Sequence, residues 1–143
     1  MNKIERASRL LLSDGSPKYV RCYDNTGETI DRYTVVFTGR YTHKTNDEFW
    51  NLSMSGAPFH PQGFGQHGFG DRPIDRPTYS HLGRKIAFTS LPEDCQKLVL
   101  QDYLYLWDIR MDYIPTKQRK AVKKIFGSMT AAVANMLNEE VKG

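Results

Sequence analysis

Strand-like segments come first and helical ones last, and that order predicts an α+β fold: an antiparallel sheet of four to five strands followed by two C-terminal helices packed on one face. Apolar and polar side chains alternate repeatedly between residues 18 and 89, the sheet region. Apolar spacing of three and four residues takes over between residues 90 and 141. Before the last strand lies a stretch with neither period, the Gly-rich loop 55–84. Strand and helix do not alternate, which argues against a parallel nucleotide-binding sheet. At 143 residues the chain is expected to form a single domain, 1–143, with a core that needs neither metal nor disulfide.

The N-terminal segment 1–16 opens with Ile4, Ala7, Leu10 and Leu11 at helical spacing, and is expected to fray or to swap onto a partner. Ser13-Asp14-Gly15-Ser16-Pro17 ends it with a run of turn formers. Lys18–Tyr23 follows as a strand, and Asp24-Asn25-Thr26-Gly27 as its hairpin turn. Ile30–Thr38 is the most strongly marked strand, with Tyr33, Val35 and Phe37 on one face. Glu48–Met54 is the third, with Trp50, Leu52 and Met54 inward. Gly83–Thr89 is the fourth, placed at an edge by Arg84 and Lys85.

Ser90-Leu91-Pro92-Glu93 supplies the cap, first-turn proline and acid of a helix start. That helix should run to about Trp107. Its apolar residues make two faces: Leu91, Cys95, Leu98, Val99 and Leu106 on one, Leu100, Leu104 and Trp107 on the other. A helix so broadly apolar is buried on two sides. The second side calls for either the last helix or a second subunit, hence the expectation of a homo-oligomer. Pro115-Thr116 opens the last helix, which Val122, Ile125, Phe126, Met129, Val133, Met136 and Leu137 carry to about Val141.

Composition narrows the function classes. No apolar run approaches the roughly 20 residues of a membrane span, and the N-terminus lacks the apolar core of a secretory signal. A cytoplasmic protein without a membrane partner is expected. Cys22 and Cys95 have no metal spacing and read as two free, half-buried thiols, or as a disulfide if the fold brings them together. The net charge of +4 is modest, but Lys117, Arg119, Lys120, Lys123 and Lys124 crowd one short stretch without an acid. With the helix reaching residue 141, these cations occupy its first turns, where the helix dipole prefers anions, so an anionic partner would relieve them. They form a basic surface that could track phosphates. Duplex nucleic acid is not favoured, because base-reading residues are missing from that face and the net charge is low.

The loop carries most of the chain's chemistry, with three of the four histidines and paired arginines. His60 and His67 are seven residues apart, a spacing that does not match a zinc site, and no metal is expected. No Gly-x-Ser-x-Gly elbow is present, and Asp71 and Asp75 neighbour Arg72 and Arg76, so ion pairs are expected there rather than paired catalytic carboxylates. Gly63-Phe64-Gly65-Gln66-His67-Gly68 matches Gly-x-Gly-x-x-Gly, yet no strand feeds it and no helix leaves it, so the dinucleotide reading fails. The glycines could still form an anion nest. Phe59 and Phe64 could stack on a base while Arg72, Arg76 and Arg84 meet phosphate. The alternative is that the phenylalanines simply pin the loop to the sheet.

Asp31-Arg32-Tyr33-Thr34-Val35-Val36-Phe37, Met54-Ser55, Pro58-Phe59-His60-Pro61-Gln62-Gly63-Phe64-Gly65-Gln66, His81-Leu82-Gly83-Arg84-Lys85-Ile86 and Leu91-Pro92-Glu93-Asp94-Cys95-Gln96 resemble segments of small proteins carried by bacteriophages and mobile elements. Their strands-then-two-helices order is similar to that of the Thoeris anti-defence nucleotide sponges. The resemblance spans residues 18 to 108 and leaves the final helix outside. It implies an oligomeric, non-enzymatic protein that sequesters signalling nucleotides such as cyclic ADP-ribose isomers. No ligand residue of that family transfers to a position here.

Residues and resemblance together lead to one expectation: a phage-type anti-defence protein that holds a small anionic, nucleotide-like ligand without catalysis. The ligand-binding set is Phe59, His60, Phe64, His67, Arg72, Arg76 and Arg84, with no cofactor. One alternative is a protein–protein inhibitor of a host defence complex, acting through the loop or the basic helix. The other is a small hydrolase using His60 and His67.

Overall fold

The computed structural model describes residues 2–28, 31–38, 63–67 and 82–127. The fold is α+β, a four-stranded, mostly antiparallel sheet followed by two C-terminal helices. The chain makes two compact units, Tyr19–Cys95 with the sheet, and Met1–Lys18 together with Gln96–Gly143.

In the sheet unit, β1 (Val20–Asp24), β2 (Tyr33–Phe37), β3 (Phe64–His67) and β4 (Arg84–Ile86) lie in the order β3-β2-β1-β4. All five residues of β2 are buried, as its unbroken β-branched and aromatic run requires. β1 pairs antiparallel with both β2 and β4. The expected hairpin is present and heavily tied. Asn25 Oδ1 accepts the Gly27 and Glu28 N–H groups at 2.8 and 3.1 Å, and its Nδ2 donates to the Asp31 carbonyl at 2.8 Å.

Two expectations change here. The loop 55–84 is not without period throughout, because residues 64–67 form β3. The sheet is also not wholly antiparallel, because β3 runs parallel to β2. Phe64-Gly65-Gln66-His67 offers one apolar side chain, so no alternation announces it. Gly65 is a matter of space: a Cβ there would stand 2.7 Å from Asp31 Oδ2. Glu48–Met54, the expected third strand, lies outside the described residues. Since β1 is antiparallel to both neighbours, β4 runs parallel to β3. Among the described strands, β3 ends at His67 on one edge and β4 begins at Arg84 on the other edge, at the opposite end of the sheet.

In the helical unit, α1 (Lys3–Leu10) starts on Asn2, whose side chain accepts the Glu5 N–H at 2.8 Å. Far from frayed, α1 is fastened within the chain. Arg6 Nη2 donates to the Trp107 carbonyl at 2.6 Å, and the Tyr103 hydroxyl donates to the Leu10 carbonyl at 2.6 Å. The turn after it forms as expected, with Leu12 N–H on the Ser16 carbonyl at 2.8 Å.

α2 (Glu93–Leu106) ends with the Ile109 N–H on the Leu104 carbonyl and the Asp108 N–H on the Tyr105 carbonyl, a Schellman closure. Asp108, at φ 52, fills the left-handed position usually given to glycine. The helix is buried on two sides, with Cys95, Val99, Leu100, Tyr103 and Leu104 at 0% exposure. A single chain achieves this, so the breadth of the apolar surface no longer calls for a second subunit. Both cysteines are free and buried, and desolvation pushes each thiol up to about 12. α3 (Thr116–Phe126) buries Val122 and Phe126 and closes on Gly127. The expectation of one helix running to about Val141 is thus corrected, because Gly127 at φ 59 ends it; residues 128–141 lie outside the described residues.

Candidate functional site

The residues that converge where the Gly-rich segment rejoins the sheet are set by strand register. Phe64, Tyr33, Asp24 and Arg84 are direct partners across β3, β2, β1 and β4, and so share one face. Asp24 ends β1 and is the charged centre of the row. Its carboxylate accepts Arg32 Nε at 2.9 Å, Arg32 Nη2 at 3.2 Å and the Thr26 N–H at 2.8 Å. Arg32 also lies over the Tyr33 ring, 5.0 Å from its centroid. The bonds from Arg32 hold the Asp24 carboxyl below its usual 3.8; burial opposes the shift, and the Thr26 N–H and the charges of Arg32 and Arg84 assist it. This ion pair was not singled out from sequence. Its signal was an acid opening a hairpin turn and an arginine closing it.

Gly83 fixes the entry to β4. It has φ +88, and a Cβ there would overlap the Asp24 carbonyl oxygen and stand 2.5 Å from Asn25 Cα. The segment is thus seated directly on the hairpin backbone at this point. The next residue, Arg84, is exposed. Its guanidinium offers a planar fork suited to a phosphate or carboxylate. Asp24 already has a bidentate partner in Arg32, so Arg84 adds positive charge to a nearly neutral pair.

The other expected ligand residues fare differently. Phe59, His60, Arg72 and Arg76 lie outside the described residues. His67 closes β3 opposite Val36. Phe64 is 2% exposed, so its ring anchors β3 and is not an open stacking face. The anion-nest reading is also corrected over residues 64–67. Their backbone is committed to an extended parallel strand, which points successive N–H groups in alternate directions. No group of three or more metal-ligating side chains occurs among the described residues.

The basic block sits on α3, but not as a uniform surface. Arg119 turns back, donating from Nε and Nη2 to the Ile114 carbonyl at 3.1 and 2.8 Å, which holds the turn before the helix. Gln118 reaches the Ser8 and Leu11 carbonyls at 3.1 Å each. Lys117, Lys120, Lys123 and Lys124 are exposed. With the helix closing on Gly127, Lys123 and Lys124 occupy its last turn, where the dipole favours cations. Only Lys117, Arg119 and Lys120 keep the unfavourable end expected for the whole block.

No family model matches the chain, and no curated protein or solved structure is significantly similar to it. No helix among the described residues is long and apolar enough to cross a membrane.

Proposed function

We propose that this chain is a phage-type anti-defence binding protein that sequesters a small anionic, nucleotide-like ligand without turning it over, with the segment 55–84 as its binding element. One observation carries the proposal: the exposed Arg84 guanidinium, seated by Gly83 on the hairpin and flanked by the Asp24–Arg32 pair, where that segment returns to the sheet. An exposed arginine on a strand end, closing a long segment that also carries Arg72 and Arg76, suits an oxyanion. Buried Phe64 removes one of the two proposed stacking rings, so base stacking rests on Phe59. The resemblance to nucleotide sponges supplies the ligand class.

The test is a thermal-shift screen against a panel of cyclic and linear nucleotides, followed by heat release and chromatography of the supernatant. Stabilisation with recovery of intact ligand supports sequestration. Recovery of an altered ligand overturns it in favour of a hydrolase. No shift with any nucleotide overturns it in favour of a protein-directed inhibitor. Arg84→Ala and Arg76→Ala should each abolish the ligand-induced shift while the unliganded protein still melts cooperatively.

A further inference from the structure

Charge is divided unevenly between the two units. Residues 1–18 and 96–143 hold twelve basic and seven acidic residues, net +5, while residues 19–95 hold eight and nine, net −1. The excess concentrates on α3, which has no acid in Thr116–Phe126. At 100° per residue, Lys117, Lys120 and Lys124 fall within about 60° of one another and span about 10 Å of helix axis. All three are exposed. The platform beneath them is fixed, because Gln118 and Arg119 tie the helix to the Ser8, Leu11 and Ile114 carbonyls.

We propose that the Lys117–Lys120–Lys124 face of α3 is a sequence-independent docking surface for the phosphate backbone of duplex nucleic acid. For one small anion to meet all three ammonium groups, lysines spaced along about 10 Å of axis must fold inward against their mutual repulsion and lose side-chain freedom, whereas a duplex presents a charge every ~1.7 Å and meets them extended. A protein partner fits less well. Interface cores are depleted in lysine and anchored by aromatic and arginine side chains, and the arginine of this helix is turned away to the Ile114 carbonyl. Lysines are point charges without a bidentate fork, so they neutralise phosphates and do not read bases. The surplus of the whole chain is thus carried by the helical unit.

The test is fluorescence anisotropy with two labelled 20-bp duplexes of unrelated sequence, at 20 to 150 mM salt. Three neutralised phosphates predict that affinity falls about six-fold for each doubling of salt, equally for both sequences. Replacing Lys117, Lys120 and Lys124 together by Gln should weaken binding at least ~10-fold at the lowest salt and flatten the dependence, in line with the loss of three phosphate contacts. Replacing all three by Arg should preserve binding, and Lys85→Gln on β4 should leave it unchanged. No binding at 20 mM salt, equal binding by the triple Gln variant, or capture of a poly-glutamate peptide without capture of the duplex would each overturn the proposal.

Discussion

Gly83 and Gly27 form a natural control pair for the seating of the Gly-rich segment. Both have left-handed backbones, φ +88 and +92. An alanine at either site pays about 1–2 kcal/mol for that conformation. It regains a few tenths to 1 kcal/mol by restricting the unfolded chain, and that gain is the same at both sites. The sites differ in space. A Cβ on Gly27 meets nothing within 4 Å. One on Gly83 meets the Asp24 carbonyl, Asn25 Cα at 2.5 Å and Asn25 N at 2.8 Å, all of them backbone atoms that cannot rotate aside. Overpacking of this kind costs a further ~1–3 kcal/mol. Gly83→Ala should therefore cost about 1–3 kcal/mol more than Gly27→Ala, read by urea denaturation with far-UV circular dichroism at constant m-value. Equal costs would show that Gly83 is not pressed against the hairpin. The same variant should weaken any ligand-induced shift that depends on Arg84, because Arg84 is the next residue.

Two further changes probe the frame around the candidate site. The folded Asp24 carboxyl titrates below its usual 3.8, so the unfolded chain takes up the proton first on acidification. Its stabilisation is complete above about pH 5 and is lost as the pH falls through the folded value. Asp24→Asn should thus lower the melting temperature at pH 7, and the gap from wild type should narrow as the medium is acidified through the folded carboxyl's titration; a gap that stays constant on acidification would remove the ion pair from the account. In the helical unit, Tyr103→Phe deletes the 2.6 Å hydrogen bond to the Leu10 carbonyl, which keeps the Lys18 N–H at 3.1 Å. With no acceptor orphaned, the cost should be about 1 kcal/mol by denaturant titration, and a loss above ~3 kcal/mol would mean that the hydroxyl does more.

How much of this was legible depended on whether a segment's structure is written in its own side chains. β2 was, because Tyr33-Thr34-Val35-Val36-Phe37 is β-branched or aromatic throughout and its burial follows directly. The turn at Asp24–Gly27 and the extent of α2 were also legible, from turn chemistry and from a proline-marked start. β3 was not. Its strand character comes from the ladder with β2 and from the room Gly65 leaves for Asp31, both of which are tertiary facts. The same limit explains Phe64, whose aromatic ring on a Gly-rich loop suits stacking and anchoring equally until the register is known. Arg119 and Lys120 are adjacent cations in sequence, yet one faces carbonyls and the other is exposed. Composition cannot separate them. The strongest signal left unused was Asp24 with Arg32, two opposite charges flanking a hairpin turn, where antiparallel pairing brings them within reach.

The two anion-directed proposals also differ in how salt should act on them, and this follows from where the charge sits. The sheet unit, which holds the candidate site, itself carries net charge −1, and Arg84 stands beside a carboxylate that already has its own partner. Long-range attraction contributes little there, so capture of a small anion would rest on short, geometrically fixed contacts that salt screens weakly. On α3 the opposite holds: net charge and exposure supply the attraction, no side chain is shaped to a particular group, and screening acts on nearly all of it. A nucleotide shift that survives 150 mM salt, together with duplex binding that fades over the same range, is the expected combination. If nucleotide stabilisation instead collapses with salt and disappears in the triple lysine-to-glutamine variant, the small anions are being held by α3, and the segment 55–84 is not the binding element.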